Sequence, residues 1–519
     1  MNGQPSVYII GAGPGDPGLL TVRGRDCLER ADVVVHDDRV PSAILKHARH
    51  GAEIISVGTA VPEPVAQAAI SYLVADKARE GLVVARLKWG DPFVFDRGGE
   101  EALYLREQGV PFEVVPGVPA SVASPAYAGI PVTYPGGGDA LTIVFSFGNE
   151  PGAMPEVNWA SLAKVEGTVV CYLDGQQLPR LLEMLPHHGW SPLAVAAIIY
   201  NGTTPAQQAM DGTLAELAAF VHEHPRRGPV MLVIGRVVGF REHLRWFDNR
   251  PLFGVRVLVT RPREQARELV DQLTSRGAMA VEAPLIRILP PTDIEPLRRA
   301  AQRVTDFDWI VFTSANAVES FMRTLLSVHR DVRALAGPKL AAIGTSTADR
   351  LASYGIKVDL IPNEFHGEGL VAALTGQGPV AKLRVLLPHA DIAREIVADQ
   401  LRAADAAVTE VVAYRTVVDE SLRDASGTDV YRLLLEHKLD AVTFTSPSAV
   451  RAFATIFGED QAADLLAHTV VASIGPVTSQ AARRLGLHVA VEPAVHTAQA
   501  LAEALTAHFA AQRGNGVRS

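Results

Sequence analysis

Short apolar runs alternate with longer helical patterns along nearly the whole chain. An apolar run of four or five residues predicts a buried strand. Regular alternation of such strands with helices predicts α/β units built on largely parallel sheets. At 519 residues the chain is too long for a single core, so it predicts three or four domains. The runs rich in Val, Ile and Leu lie at 7–10, 33–36, 83–87, 142–146, 168–172, 231–234, 256–260, 309–313, 384–388 and 441–445.

The segment 246-WFDNRPLFG-254 interrupts this alternation. Its Asp-Asn-Arg-Pro core and its final glycine predict an exposed linker, and a fresh apolar strand starts directly after it. The main boundary is therefore expected here, between a first half at 1–245 and a second half at 255–513.

The second half repeats itself. The string 308-DWIVFTSANAVESF-321 recurs as 440-DAVTFTSPSAVRAF-453, a shift of 132 positions (440 − 308). The string 343-IGTSTADRLASYGIKV-358 recurs as 474-IGPVTSQAARRLGLHV-489, a shift of 131 positions (474 − 343). Matched blocks in the same order indicate two similar α/β domains, and the cleft between such domains is the natural place for a ligand.

Hydroxyl residues follow the strands of these repeats, where the next helix begins. Such side chains cap helices, and a helix amino terminus also attracts carboxylates through its free N–H groups and its dipole. Plain capping explains any one of these turns, whereas all of them together at strand ends predict a ligand with several carboxylates. The candidates are Ser314 with Asn316, Thr345 with Ser346, Ser446 with Ser448, and Thr478 with Ser479.

The glycine-rich turn 11-GAGPGDPG-18 follows the first apolar run, as a dinucleotide-binding loop would. Pro14 has no N–H to donate to a phosphate, and Asp16 stands where the third glycine of the dinucleotide pattern belongs. The turn therefore predicts a ligand that carries no phosphate at this position.

Charge and composition exclude several classes of partner. A net charge of −9 argues against nucleic acid. Cys27 and Cys171 each lie inside an apolar run, so neither a disulfide framework nor a thiolate metal site is expected, and no metal is predicted. The amino terminus lacks a signal pattern, and no apolar run approaches the ~18 residues of a membrane span. The cytoplasm is the expected compartment, without a membrane partner.

The second half resembles the uroporphyrinogen-III synthases over nearly its whole length. The resemblance implies two flavodoxin-like parallel-sheet domains, 255–287 plus 417–513 and 290–413, which need no cofactor. It also implies that hydroxymethylbilane, a linear tetrapyrrole rich in carboxylates, loses water and closes to uroporphyrinogen III with inversion of its last ring. The strings that carry it are 256-RVLVTRP-262, 311-VFTSANAV-318, 343-IGTSTA-348, 385-VLLPHADIARE-395, 411-VVAYRT-416, 444-FTSPSAV-450 and 474-IGPVTS-479.

The same resemblance assigns Tyr414 as the residue that assists loss of the hydroxyl group. A phenol can donate a proton to a departing hydroxide, although a tyrosine at a strand end also simply lines a cleft. Arg261 either meets the acidic groups of the substrate or is solvated at the surface. The predicted substrate-binding residues are Arg261, Ser314, Thr345, Ser446 and Thr478.

The first half resembles the S-adenosylmethionine-dependent uroporphyrinogen-III methyltransferases, part of the tetrapyrrole methylase superfamily, from residue 7 to about 247. The resemblance implies two α/β subdomains, about 1–133 and 140–245, with the active site between them and possible homodimerisation through this half. It also implies two methyl transfers from S-adenosylmethionine to uroporphyrinogen III, giving precorrin-2. The strings that carry it are 9-IIGAGPGDPGLLT-21, 31-ADVVVHDD-38, 90-GDPFVFDRGGEE-101, 115-VPGVPASVASPAYAGIPVT-133, 202-GTTPAQQ-208, 211-DGTL-214 and 229-PVMLVIG-235.

Methylation of a pyrrole carbon requires removal of a ring proton, and Asp37 maps to the residue that the family assigns as proton acceptor. A turn or cap role is the alternative for Asp37. The string 97-RGGEE-101 either belongs to the catalytic site or forms a tight turn before a helix whose first turn carries carboxylates. The predicted cofactor-binding residues are Pro14, Gly90, Asp91, Val94, Ala120, Leu173 and Gly202.

Several family positions differ in this chain. Gly58-Thr59-Ala60 replaces Gly-Lys-Arg, which removes the lysine assigned as proton donor, and Trp89 replaces a glycine of the cofactor motif. Pro119 and Leu173 also depart from the family pattern. Three functions follow as alternatives: a bifunctional enzyme, an active synthase fused to a methylase-like binding or regulatory module, and a non-enzymatic two-lobed binding protein.

Overall fold

The structure is a computed structural model that describes residues 5–58, 64–137, 139–146, 154, 156–364, 367–391, 396–419 and 430–516. The chain divides into two compact units, Met1–Gly254 and Val255–Ser519. Cys27 and Cys171 are free thiols, each buried in the first unit.

The first unit contains two sheets, and helices cover them. Its strands are β1 Val7–Gly11, β2 Val33–Asp37, β3 Glu53–Val57, β4 Val84–Lys88, β5 Phe112–Val115, β6 Ala140–Phe145, β7 Gly167–Asp174, β8 Val195–Tyr200, β9 Gln208–Thr213 and β10 Pro229–Ile234. Its helices are α1 Val22–Leu28, α2 Ser42–Leu45, α3 Pro64–Arg79, α4 Gly98–Glu107, α5 Ala120–Tyr127, α6 Trp159–Leu162, α7 Leu178–Met184, α8 Leu214–Glu223 and α9 Arg241–Leu244.

The first sheet has the order β3-β2-β4-β1-β5, and its strands run parallel. Residues of β1, β2 and β4 are buried throughout, which is the burial pattern of a parallel sheet covered on both faces. The alternation of strands and helices predicted this arrangement, and the structure confirms the α/β class.

The second sheet differs from the prediction of largely parallel strands. Its order is β6-β7-β10-β8-β9, with β6 and β7 parallel but β7–β10, β10–β8 and β8–β9 antiparallel. The loop 201–207 joins β8 directly to β9, and so short a connection turns the chain back on itself. Apolar runs reveal that a strand is buried but not the direction in which it runs.

Packing contacts cross both boundaries expected in the first half. Ala120 and Ile130, on and after α5, share a core with Met231 of the second sheet. Within the expected linker 246–254, Trp246 is 44% exposed, whereas Phe247 is 3% exposed and its ring lies 4.8 Å from that of Tyr127. Turn-forming residues predict that the chain reverses direction, but they do not show that Phe247 packs against Tyr127 there.

The second unit also has two sheets. Its strands are β11 Arg256–Val259, β12 Met279–Glu282, β13 Ile286–Leu289, β14 Trp309–Phe312, β15 Lys339–Ala342, β16 Arg384–Ala390, β17 Ala407–Val418, β18 Ala441–Phe444, β19 Val470–Ser473 and β20 Val489–Val491. Its helices are α10 Arg263–Ser275, α11 Glu295–Gln302, α12 Ala315–Ser327, α13 Thr345–Ala352, α14 Gly367–Gly376, α15 Ile396–Ala403, α16 Val430–Leu435, α17 Pro447–Phe457, α18 Glu459–Leu465, α19 Pro476–Arg484 and α20 Ala498–Gly516.

Both sheets of this unit have a flavodoxin-like strand order. The sheet β12-β11-β18-β19-β20 is parallel and follows the order 2-1-3-4-5 within its own domain. The other sheet, β13-β17-β16-β14-β15, repeats the order 2-1-3-4 and adds β13 as an antiparallel edge strand. The segments β13 and β17 lead into and out of the second domain, which is inserted into the first. We call the sheet that contains β11 domain one and the sheet that contains β14 domain two.

Candidate active sites

The turn 11–18 leaves β1 with its N–H groups already engaged. The N–H of Ala12 donates to the Lys88 carbonyl at 2.8 Å, and Gly13 and Gly90 exchange two backbone hydrogen bonds of 3.1 and 2.9 Å. The N–H of Asp16 donates to Thr203 Oγ1 at 3.2 Å. A phosphate-binding loop needs such donors free, so this geometry agrees with a ligand site that holds no phosphate here.

Backbone approaches closely at the carboxyl ends of β1, β4 and β5. A Cβ atom added to Gly117 would lie 2.2 Å from the Gly90 carbonyl oxygen, and one added to Gly11 would lie 2.5 Å from the Gly117 Cα. Any side chain at these positions would force the loops apart. The glycines therefore fix the floor of a cleft at this edge of the first sheet.

Asp91 ties two of these loops together. Its Oδ1 accepts the N–H of Phe93 at 2.8 Å, and its Oδ2 accepts the N–H of Gly117 at 3.0 Å. The predicted contact of Asp91 with a ligand would have to share these oxygens with the backbone.

Helix α5 and the loop 201–207 contact the turn 11–18 at the same edge. Asp16 accepts a 2.7 Å hydrogen bond from the Tyr127 hydroxyl of α5, and a Cβ atom on Gly202 would lie 2.2 Å from Ser124 Oγ of that helix. Pro14 is buried beside this junction, whereas Val94 is 37% exposed. Ala120 begins α5 and belongs to the same apolar cluster as Trp89. The structure thus brings together the loops that carry most of the predicted cofactor-binding residues.

Leu173 is the exception among them. Successive side chains of β7 point to opposite faces, and Tyr172 takes the face towards Trp89, with ring centroids 5.5 Å apart. Leu173 packs on the other face, in a core with Leu178 and Leu181. Strand alternation turns the Leu173 side chain away from the Trp89 face, so cofactor binding at Leu173 stays a prediction that only its backbone could meet on that face.

Asp37 ends β2 at the edge of the cleft and is 3% exposed. Its Oδ1 lies 2.5 Å from Arg86 Nη2, and its Oδ2 accepts the N–H of Trp89 at 3.1 Å. An ion pair and a backbone donor therefore hold the carboxylate that the sequence predicts as the base.

Trp89 begins a row of stacked rings at the cleft. Its indole stacks on Tyr172, whose ring lies 5.6 Å from Phe145, and Phe145 lies 5.2 Å from Phe95. The Arg39 guanidinium lies 6.0 Å from the centroid of the Trp89 ring. Burial raises the pKa of Tyr172 to about 12, opposed by the charge of Arg39. Thr59 and Ala60, the other departures on this side, lie outside the described residues.

A buried group of charged residues behind Asp37 is the largest feature that sequence reasoning missed. Arg86 and Lys88 of β4 are each 1% exposed, and Glu101 of α4 is 2% exposed. Burial by itself raises the pKa of Glu101, but Arg86 and Lys88 hold that pKa below its usual range. The sequence pattern of 97-RGGEE-101 predicted favourable first-turn carboxylates, yet Glu101 turns inward. The sequence signal that could have revealed this buried group is the pair of cations, Arg86 and Lys88, at alternate positions of an otherwise apolar strand.

In the second unit, Ser314 and Ser446 occupy matching positions after β14 and β18. Ser314 caps α12 and accepts the N–H of Ala317 at 3.1 Å, while Ser446 caps α17 and accepts the N–H of Ala449 at 3.2 Å. Their backbone angles nearly coincide, with φ −163° and ψ 153° for Ser314 and φ −158° and ψ 153° for Ser446. Both predicted caps are confirmed.

The other two predicted caps are wrong. Gly344 precedes α13 and Gly475 precedes α19, so Thr345 stands inside the first turn of α13 and Thr478 inside the first turn of α19. Thr345 is exposed, whereas Thr478 is only 3% exposed. The Ile-Gly ending of each strand supplies the cap residue, which shifts each threonine one or three positions into its helix.

Tyr414 lies on β17 beside the start of α12. Its hydroxyl lies 3.1 Å from Ser314 Oγ, and its ring is packed in the core of domain two with 8% exposure. Burial raises the pKa of the Tyr414 phenol, while hydrogen bonds with Ser314 and Asn316 act in the opposite direction. The phenol is therefore held protonated at the amino terminus of a helix.

Arg261 follows β11 in domain one. Burial lowers the pKa of its guanidinium, with a small opposing contribution from Glu268. Among the described side chains, no carboxylate lies within ion-pairing distance of Arg261. One turn further on, Gln265 of α10 donates to Asn316 of α12, so the start of α10 contacts the α12 terminus beside Ser314.

Comparisons with known proteins agree with this architecture. The family model of the uroporphyrinogen-III synthase HemD matches residues 267–503, and that of the tetrapyrrole (corrin/porphyrin) methylases matches residues 6–218. The porphyrin biosynthesis protein HemD of Ruminiclostridium josui is 35% identical over 489 residues, covering 93% of this chain and 94% of that protein.

Two further matches are to methyltransferases. A uroporphyrinogen-III C-methyltransferase of Bacillus subtilis (strain 168) is 36% identical over 358 residues, covering 68% of this chain and 73% of that protein. A solved structure of uroporphyrin-III C-methyl transferase from Thermus thermophilus, complexed with S-adenyl homocysteine, is 34% identical. It has a TM-score of 0.39 and covers 45% of this chain and 98% of that one.

The fold, the two sites and the relatives together define an enzyme of tetrapyrrole biosynthesis with two α/β halves. The chain belongs to the family in which a tetrapyrrole methylase is fused to a uroporphyrinogen-III synthase. The sequence resemblance of each half is thereby confirmed, and a non-enzymatic binding protein is excluded.

No helix in the described ranges has the length and apolar character needed to cross a membrane. Within the same part of the chain, no group of three or more His, Cys, Asp or Glu side chains is placed to hold a metal ion.

Proposed function

We propose that the first half transfers two methyl groups from S-adenosylmethionine to pyrrole carbons of uroporphyrinogen III, giving precorrin-2. The observation that carries this is the Asp37 carboxylate, held at the cleft by Arg86 and by the N–H of Trp89. Each transfer forms a carbon–carbon bond and leaves a ring proton to be removed. Asp37 is a fixed carboxylate suited to accept that proton.

The cleft fits a cofactor without phosphate. S-adenosylmethionine supplies an electrophilic methyl group when bound. A Cβ atom on Gly90 would meet open space, so backbone there can approach a ligand, and the N–H groups of Ala12, Gly13 and Asp16 already have protein acceptors. Pro14, Asp91, Val94, Ala120 and Gly202 are the residues that we propose hold it.

A second candidate for the first half is a module that binds ligands without transferring methyl groups. Trp89 favours it, because its indole stacks on Tyr172 where the family carries a glycine. Calorimetric titration of the full chain with S-adenosylmethionine, followed by a methyl transfer assay on uroporphyrinogen III, separates the two. Binding with transfer supports the methyltransferase, whereas binding without transfer supports the module.

We propose that the second half closes hydroxymethylbilane to uroporphyrinogen III. In this reaction the terminal hydroxyl leaves as water, and a carbon–carbon bond closes the ring with inversion of the last pyrrole. Tyr414 is placed to donate a proton to the departing hydroxyl, since its phenol is protonated and hydrogen-bonded to Ser314. Ser446, Thr345 and Thr478 lie at or inside helix amino termini, which attract carboxylates. Product made by this half is the substrate of the first, and fusion raises its local concentration.

Arg261 gives the most direct test of substrate binding in the second half. A partly buried guanidinium that has no carboxylate partner among the described side chains is expected to bind an acetate or propionate group of hydroxymethylbilane. Arg261→Gln should raise KM about 10- to 100-fold, the equivalent of one hydrogen bond to a charged group, with a smaller change in kcat. Steady-state kinetics of uroporphyrinogen III formation measure it.

Arg267→Gln is the matched control, because Arg267 lies on α10 with a side chain that is 85% exposed. Arg261→Lys should recover only part of the affinity, since a single ammonium group does not reproduce the fork of a guanidinium. An unchanged KM in Arg261→Gln would show that Arg261 does not touch substrate.

A further inference from the structure

A continuous row of charged side chains joins Asp37 to the loop that follows β4. Arg86 contacts Asp37 at 2.5 Å and Glu101 Oε1 at 3.2 Å, and Lys88 Nζ lies 2.9 Å from the same Glu101 oxygen. Lys88 Nζ also lies 3.1 Å from Asp96 Oδ1. Arg86 and Lys88 are two residues apart on β4, so both side chains point to the same face.

Most of this row is removed from water. Asp37, Arg86, Lys88 and Glu101 are each 3% exposed or less, whereas the Asp96 side chain is 23% exposed. Buried charges persist only where partners compensate for lost hydration, so each contact depends on its neighbours. Glu101 Oε2 has no hydrogen-bond partner among the described residues, which leaves Glu101 dependent on its other oxygen. Asp96 is therefore the member that water reaches most easily.

The charges of the row change when Asp96 titrates. Arg86 and Lys88 are cations, while Asp37, Glu101 and an ionised Asp96 are anions, so the row carries one net negative charge with Asp96 ionised and none with Asp96 protonated. The groups that act on Asp96 are Lys88 from β4, Asp37 from β2 and the Arg97 N–H before α4, while Glu101 of α4 shares Lys88 with it. Burial raises the pKa of Asp96 to about 6, with Lys88 opposing and Asp37 reinforcing the shift.

We propose that Asp96 is a positioning residue for methyl transfer, acting on the Asp37 carboxylate through Lys88, Glu101 and Arg86. This rests on the proposed role of Asp37 as the base. An ionised Asp96 shares Lys88 with Glu101, which leaves Glu101 to hold Arg86. A protonated Asp96 releases Lys88 to Glu101, and Arg86 then binds Asp37 more strongly, so the carboxylate is less available to accept the ring proton.

These contacts determine the direction in which the rate of methyl transfer changes with pH. As the pH falls through about 6, Asp96 gains a proton, and the rate of methyl transfer should fall with it. Asp96→Asn removes the ionisation and mimics the protonated state. At pH 7.5 this variant should lower kcat for methyl transfer about 3- to 30-fold, the usual range for a residue that acts through neighbouring contacts, with KM unchanged.

The experiment measures methyl transfer by the full chain between pH 5 and 8. The wild-type profile should show an inflection near pH 6 that Asp96→Asn lacks and Asp96→Glu, which keeps the charge, retains. Glu53→Gln is the control, since Glu53 is a carboxylate of the same sheet that pairs with Lys77 at the amino end of β3. Synthase activity of the second half, assayed on each sample, reports that the chain is intact.

Two outcomes overturn the inference: an inflection that persists in Asp96→Asn, or a ratio of variant to wild-type kcat that stays at one across the pH range. Should Asp96→Asn lose its fold, the wild-type and Asp96→Glu profiles decide the matter, because both must show the inflection. Failure of the proposed function looks different: either Asp37→Asn would transfer methyl groups at the wild-type rate, or the wild-type chain would transfer none at any pH.

Discussion

Asp37→Asn should slow methyl transfer to uroporphyrinogen III by about 10²- to 10⁴-fold, the usual loss when a positioned general base is removed. Asparagine keeps the shape and one acceptor for Arg86, but it cannot take the ring proton. The change is expected in kcat, because Asp37 acts on the proton lost during the transfer. Single-turnover transfer of a labelled methyl group measures it.

The second half provides the control for this variant within the same molecule. Uroporphyrinogen III formation from hydroxymethylbilane should be unchanged in Asp37→Asn. Asp37→Ala is the harsher variant, since it removes a carboxylate partner of the buried Arg86 and should also destabilise the first unit. A transfer rate within twofold of wild type in Asp37→Asn would exclude Asp37 as the base.

Tyr414→Phe should slow ring closure by about 10- to 100-fold, which is below the full effect of many general acids because positioning of a reactive linear tetrapyrrole supplies part of the rate. The phenylalanine keeps the ring that packs in domain two but cannot donate to the departing hydroxyl. Loss of the Ser314 contact should lower stability by only about 1 kcal/mol. Initial rates of uroporphyrinogen III formation and thermal unfolding measure the two effects.

Tyr354→Phe is the matched control for Tyr414→Phe. The Tyr354 hydroxyl also makes a hydrogen bond in domain two, 3.0 Å from Glu319 Oε2, but Tyr354 follows α13 and does not lie beside Ser314. Removal of the Tyr354 hydroxyl should lower the free energy of unfolding by a similar amount and leave the rate of ring closure unchanged. Equal turnover in both variants would show that Tyr414 only lines the cleft.

Much of the fold was predictable because burial leaves a periodic trace in sequence. The apolar runs predicted the most buried strands of the parallel sheets, among them β1, β2, β4, β11, β14 and β18. The duplicated strings predicted two similar domains, now seen as the shared strand order around β11 and β14. Ser314 and Ser446 were predicted as caps because a serine after a strand and before an apolar helix has few other roles.

The remainder depended on tertiary contacts that no local pattern encodes. Strand direction in the second sheet follows from the short loop between β8 and β9. Phe247 is buried in what composition predicts as a linker, because Tyr127 offers a partner 120 residues earlier in the chain (247 − 127). Glu101 turns inward because Arg86 and Lys88 lie buried above it, which a helix-start pattern does not show.

Of the predicted site residues, Asp37 is the last residue of β2, and Tyr414 lies within β17 with its hydroxyl beside Ser314. Leu173 does not face the cleft, and Thr345 and Thr478 lie inside helices that glycines cap. Asp96 and its partners appeared only when the side chains of β4 and α4 were seen together.

If both halves are active in one chain, the full-length protein should carry hydroxymethylbilane through both reactions. The direct test supplies hydroxymethylbilane with methyl-labelled S-adenosylmethionine and analyses the tetrapyrrole product by mass. We expect a macrocycle that carries two labelled methyl groups, with the mass of precorrin-2. Accumulation of unmethylated uroporphyrinogen III would show that the first half does not methylate it.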